Sequence, residues 1–448
     1  MVNGLQRVVA RFLLPGLVVF GLLPAPAAWA GPKIQTWETA NGAKVLFVEA
    51  PELPMVDVRL VFDAGSARDG DKPGLARLTA GLLNEGAGDW NADQLAERLE
   101  NVGARFGAGS ARDMAWVSVR TLTDPKALDT ALETVAAIIA RPRFEAADFN
   151  RVRKAMQIGL RRSEQDPGSV ASKAFYARVF KGHPYASHPG GTQESLAAMT
   201  REDVVAMHKR YYVARNVIVA IVGALGRDQA EEMAGRLTRD LAEGEHAPPL
   251  PPVGLPEKGW SKHIPFPSSQ SHILAGQPGM RRGDPDYIPL YLGNHILGGS
   301  GLVSLLSEEV REKRGLSYSV YSYFQPMRRK GAFVIGAQTK NAQVHEALEV
   351  IWSTLQDFIT KGPTQEQLTA SKQNITGGFP LRIASNKDIV EYLGLIGFYD
   401  LPLDYLDTFV DKINAVTAGQ IRDAFQRRVH PEKFITIVVG NGQEAPAD

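Results

Sequence analysis

Hydrophobic and polar positions along this chain follow two different periods. After an Asn41-Gly42 turn signal, residues 44–49 (KVLFVE) read as a strand, and residues 56–62 (VDVRLVF) alternate apolar with polar and predict a second. Residues 271–276 repeat this strand opening in the second half. Residues 94–102, 127–140 and 345–359 instead place apolar side chains at i, i+3 and i+4, which predicts amphipathic helices.

The pattern is also duplicated. Residues 199–223 (MTREDVVAMHKRYYVARNVIVAIVG) align without a gap on residues 416–440 (VTAGQIRDAFQRRVHPEKFITIVVG). In each copy a threonine, Thr200 or Thr417, caps a short helix, a loop follows, and a β-branched run ends at Gly223 or Gly440. Between the copies, residues 244–259 carry five prolines and predict an extended, stiff connector. The expected fold class is α+β, with two homologous lobes at residues 31–243 and 260–448, each a mainly antiparallel sheet covered by helices.

Composition narrows the setting. Arg7 and Arg11 precede an apolar run over residues 12–23 and an Ala-Trp-Ala sequence at 28–30, the pattern of a secretory signal peptide spanning residues 1–30. The run is shorter than the ~20 residues a membrane span needs, and no later segment is apolar enough, so a periplasmic or secreted chain free of the membrane after cleavage is expected. Such a chain could hold disulfides, yet Cys is 0, so cores rather than covalent staples must hold the fold. Lys+Arg 50 against Asp+Glu 49 gives a net charge of +1 and no electrostatic case for a nucleic-acid partner. Trp37, Trp90, Trp116, Trp260 and Trp352 read as core or interface aromatics.

Two segments carry the chemistry. In the first half, residues 63–86 (DAGSARDGDKPGLARLTAGLLNEG) run through a glycine-bearing turn into a helix with Arg77, Ala80 and Gly81 at i, i+3 and i+4. In the second, a glycine turn at 298–301 (GGSG) precedes residues 310–320 (VREKRGLSYSV), where Arg311 and Tyr318 stand seven positions apart. Together they resemble the pitrilysin and insulin-degrading type of zinc peptidase, which includes the mitochondrial processing peptidases, over about residues 35–440. The resemblance implies that the two lobes face each other as a clamshell.

In that family the first segment bears H-x-x-E-H, and Arg77, Ala80 and Gly81 fall where His, Glu and His belong. Two imidazoles at i and i+4 share one helical face and grip a single ion. A guanidinium cannot ligate, and glycine has no side chain. Ala80 cannot replace the glutamate that activates the attacking water. The family's third ligand, a glutamate from a later helix, corresponds to a run at 149–163 (FNRVRKAMQIGLRRS) with no acidic residue. Of the nine histidines none are spaced i, i+4, and the nearest pair, His183 and His188, sits among prolines in a loop. No metal or other cofactor is therefore expected in this chain.

The Arg311/Tyr318 spacing matches the family's R/Y pair, which the resemblance implies points toward substrate at a zinc centre. Tyr318 would donate to the tetrahedral oxyanion, and Arg311 would hold a substrate carbonyl or the tyrosine itself. The plainer alternative is a helix-end ion pair at Arg311 and a strand position at Tyr318. Family members often carry Phe-Ser-Ser-Arg-Leu after the glycines, whereas residues 302–306 here read LVSLL. The glycine turn lacks the Lys-Ser/Thr of a phosphate cradle. One erased and one intact half-site imply a non-catalytic subunit paired with a homologous zinc-bearing chain in a heterodimer, with zinc in that partner and a peptide as substrate. The rival reading is a peptide-binding scaffold with no part in hydrolysis.

Overall fold

In the computed structural model, which describes residues 32–441, two β-sheets share one topology. The signal peptide expected at residues 1–30 lies outside the described residues. The first sheet runs Gln35–Glu38, Lys44–Glu49, Val217–Gly223, Met55–Phe62, Ala115–Leu122, Arg105–Ser110. The second runs Trp260–Pro265, Ile435–Gly440, Gln270–Pro278, Ala332–Lys340, Ser317–Phe324. In each, the closing strand lies parallel to an early strand of its lobe, Lys44–Glu49 in the first and Trp260–Pro265 in the second, with Gly223 opposite Glu49 and Gly440 opposite Pro265, and the neighbours beyond it are antiparallel. The offset read from the sequence thus superimposes strand on strand. Thr200 and Thr417 each accept the backbone N–H three residues on, at Asp203 and Gln420. The α+β class with two homologous lobes is the observed one.

The closing strands are buried on both faces, and the two faces belong to different cores. Val217, Val219 and Ile221 pack in the first-lobe core, whereas Ala220 and Val222 join the core of the second half. The cause is an exchange of helices. Asn386–Phe398 from the second half lies across the first sheet, and Pro167–Val179 from the first half lies across the second. There Phe175, Tyr176 and Val179 meet Ile435, Ile437 and Val439. Small residues allow the close approach: a Cβ on Gly397 would sit 2.5 Å from Ile218 Cγ2. The sequence reading gave each half its own covering helices. An unbroken apolar run announces two covered faces without naming the helix that covers them. For the same reason Met55–Phe62 is not half-exposed as its alternation suggests; Asp57 is buried and answered by Arg120 at 3.0 Å.

Further ties join the halves. Residues 244–259 contain neither helix nor strand, yet Leu250 and Val253 are buried and Arg329 Nε donates to Leu250 O at 2.6 Å. Asp113 is a buried hub that accepts from Tyr185 Oη at 2.5 Å, Arg328 N at 2.6 Å and Tyr399 Oη at 3.0 Å. No helix among the described residues is long and apolar enough to cross a membrane.

Candidate functional site

The first-lobe segment folds as a turn and a short helix, Leu75–Leu82. Gly74 precedes it at φ 97, a left-handed conformation that favours glycine. Buried Asp69 secures the turn by accepting the N–H groups of Gly74 and Ala76, each at 2.8 Å, and burial pushes its carboxyl up to about 7. Arg77 and Gly81 are exposed on one helical face, as i, i+4 spacing requires, and Ala80 is buried. Helix Ala146–Ser163 packs alongside, with Val152 Cγ1 3.6 Å from where a Gly81 Cβ would stand.

The local charge opposes a cation as well. Arg77 reaches toward the turn after His188, within 3.5 Å of a Cβ on Gly190. The His188 imidazole is held below its ordinary pKa by burial first, then by Lys173, Arg112 and Arg77. His183 is occupied by backbone, its Nε2 3.0 Å from Pro251 O and its Nδ1 accepting from Tyr185 N. Among the described residues no group of three His, Cys, Asp or Glu side chains could hold a metal ion. The residues present do not fit zinc.

The second-lobe segment keeps its side chains and holds them on irregular backbone. Helix Tyr287–Asn294 widens into a π-turn, His295–Gly299, closed by Ser300 N–H to His295 O at 3.0 Å. A second π-turn, Ser307–Glu312, closes with Lys313 N–H to Glu308 O at 3.0 Å and carries Arg311. Such widened turns are rare and concentrate at functional positions. Packing dictates the glycines: a Cβ on Gly298 would stand 2.4 Å from Ser322 Oγ, and one on Gly293 2.4 Å from the buried Phe425 ring. Asn294 clasps the neighbouring strand by donating to Ser322 O at 3.0 Å and accepting from Ser322 Oγ at 2.8 Å.

Tyr318 owes its direction to a β-bulge. Ser317 faces Thr339 and Ser319 faces Gln338, which leaves Tyr318 unpaired between them. Ser317 Oγ locks the bulge by bonding Gln338 O at 2.6 Å and Ser319 O at 2.7 Å. Tyr318 is 79% exposed, and the Arg311 guanidinium lies 5.2 Å from its ring centroid. Arg311 also touches Glu312 at 3.3 Å, an exposed contact of little energetic weight. The structure therefore brings Arg311 and Tyr318 together, while Arg77, Ala80 and Gly81 share a helix of the other lobe. The sequence reading did not single out Tyr321 and Tyr323, whose rings stack 6.0 Å apart farther along the same edge strand. The two-residue spacing of Tyr321 and Tyr323 in the aromatic-rich run YSVYSYF was the available signal.

Comparison with known proteins matches this geometry. Residues 44–193 match the family described as insulinase, peptidase family M16, and residues 198–375 match the peptidase M16 inactive domain. A Helicobacter pylori protein named non-peptidase homolog YmxG is 25% identical over 91% of this chain and 94% of its own length. A Bacillus subtilis protein named uncharacterized zinc protease YmxG is 22% identical over 92% of this chain and 100% of its own. The crystal structure of a peptidase M16 inactive domain from Pseudomonas fluorescens superimposes with a TM-score of 0.89 at 39% identity, covering 92% of this chain and 99% of that one. These matches identify the chain as a member of the M16 family of peptidases, one in which Arg77, Ala80 and Gly81 stand at the ligand positions on Leu75–Leu82.

Proposed function

We propose that this chain is the non-catalytic subunit of a periplasmic, heterodimeric zinc peptidase, supplying Arg311 and Tyr318 to peptide held at the metal site of a homologous partner. The observation that carries the reading is the pairing of half-buried Arg311 with exposed Tyr318, fixed by a π-turn and a bulge, in a chain whose own ligand positions are erased. Hydrolysis of a peptide bond passes through a tetrahedral oxyanion, and a phenol placed beforehand stabilises it more than it does the planar carbonyl. Tyr318 is the donor in this scheme. Arg311 over its ring restricts the phenol's direction and leaves guanidinium N–H groups for a substrate carbonyl. The amino-terminal pattern of residues 1–30 supports export.

The test is hydrolysis of a fluorogenic peptide by the purified chain, alone and mixed with an H-x-x-E-H-bearing homologue from the same organism. Silence alone, activity on mixing and a deficit with Tyr318→Phe are expected. Activity of the isolated chain would overturn the proposal, and a full-rate Tyr318→Phe complex would remove the catalytic role. Silence in both states, with peptide still bound, would favour the scaffold reading.

A further inference from the structure

The second lobe contains a pocket that neither Arg311 nor Tyr318 lines. Its volume is about 480 Å³, in the range of small-ligand sites, and its walls include Tyr287, Tyr291, Tyr392, Tyr405, Arg282 and Arg382. Tyr287 and Tyr291, one turn apart on their helix, stack at 5.9 Å with ring planes 9° apart, and Phe409 meets Tyr291 edge-on at 6.1 Å. These rings form flat apolar walls suited to another ring.

The guanidiniums give the pocket its charge preference. Arg282 donates to Tyr287 Oη and Arg382 to Tyr291 Oη, each at 3.1 Å. A phenol orients a guanidinium without neutralising it, and a guanidinium has five N–H donors. Neither arginine forms an ion pair among the described residues, whereas nearby Arg427 and Arg428 both pair with Asp286. Two carboxylates also line the pocket: Asp388, which accepts from Ser385 Oγ at 2.6 Å at the start of its helix, and Glu391, whose charge also acts on Arg59 of the first lobe. Arg282, Arg382 and Tyr392 all line this one cavity.

We infer that this pocket binds a carboxylate borne on an aromatic body, the carboxylate taken by Arg382 and Arg282 and the ring laid against the tyrosine walls. Planar guanidiniums match carboxylate geometry. The same chemistry is offered by the free C-terminus of a peptide ending in an aromatic residue and by a small aromatic acid.

Isothermal titration of the full chain lacking its signal segment tests the inference with four probes: N-acetyl-phenylalanine, its amide, phenylacetate, and the peptide Ala-Ala-Ala-Phe. The acids should bind and the amide should bind roughly tenfold more weakly or worse, the loss expected for one charge-assisted contact. Arg382→Gln should weaken the acids by a similar factor without changing Tm, because the Arg382 side chain sits in an exposed turn. Tighter binding of the peptide than of phenylacetate would assign the site to peptide ends, and the reverse order to small acids. Equal affinity for acid and amide, no binding at millimolar concentration, or an unchanged Arg382→Gln titration would each overturn the inference.

Discussion

The two lobes repeat one another through their strands and diverge where the chemistry lies. The helix Leu75–Leu82 packs on Arg201–Tyr211, and its counterpart Tyr287–Asn294 packs on Ala418–Arg428. In the first lobe the helix is regular, and its two outward positions, 77 and 81, are exposed. Ligands there could be lost without disturbing the fold. In the second lobe the helix runs into two π-turns, a glycine pressed on Phe425 and a bulged strand, and the residues carried by that irregular backbone are Arg311 and Tyr318. Departures from regular backbone are unfavourable and persist where surrounding packing enforces them. The contrast shows that the outward side chains of a regular helix can change without disturbing the fold, whereas a positioned side-chain pair is built into its lobe.

Several changes would break or sharpen this contrast. The largest effect is expected from Tyr318→Phe, which should lower turnover of the proposed two-chain complex on the order of 10²–10³-fold with subunit association intact; steady-state kinetics and gel filtration check it. Gly293→Ala should destabilise the second lobe by about 1–3 kcal/mol, since its Cβ would drive into the buried Phe425 ring and lie 2.7 Å from Ile421 Cγ2. Urea denaturation measures that loss.

Asp286→Asn should lower stability by about 2 kcal/mol at neutral pH. Hydrogen bonds from Arg427, then Arg428, hold the Asp286 carboxyl at about 2, below its value in the unfolded chain. The contribution of a depressed acid is complete above about pH 4 and is lost as pH falls through 2. The stability difference between parent and variant should therefore close over that window, and a pH-independent difference would assign the loss to packing.

At the first-lobe position the sign reverses. Gly81→Ala meets only Val152 at an ordinary 3.6 Å and should stabilise by up to ~1 kcal/mol through helix propensity, as thermal melts would register. Restoring the motif itself should not rebuild a zinc site. A variant with Arg77→His, Ala80→Glu and Gly81→His is expected to carry less than stoichiometric zinc by elemental analysis, because helix Ala146–Ser163 offers no carboxylate from residue 149 onward. Full zinc occupancy would mean that the first lobe still holds a third ligand.

Much of the candidate site was legible in residue order. Helical spacing alone places positions 77 and 81 on one face, and residue identity alone removes the ligands, because coordination depends on which side chain is present. The glycine turn and the Arg311–Tyr318 spacing were legible as a motif. The bulge that turns Tyr318 outward was not, since it depends on the partner strand's register at Thr339 and Gln338. The tyrosine pocket was hidden for the same reason: its walls come from helices Tyr287–Asn294, Asn386–Phe398 and Tyr405–Ala415, far apart in the chain.

By itself the sequence determined the duplication, the α+β class, the threonine caps and the erased ligand set, because each rests on local periodicity, short-range hydrogen bonding or the presence of an atom. Only the tertiary structure decided which helix covers which sheet and how Arg311 meets Tyr318. An apolar face records that it must be covered but not by what, and a side chain's direction on irregular backbone is set by neighbours distant in sequence.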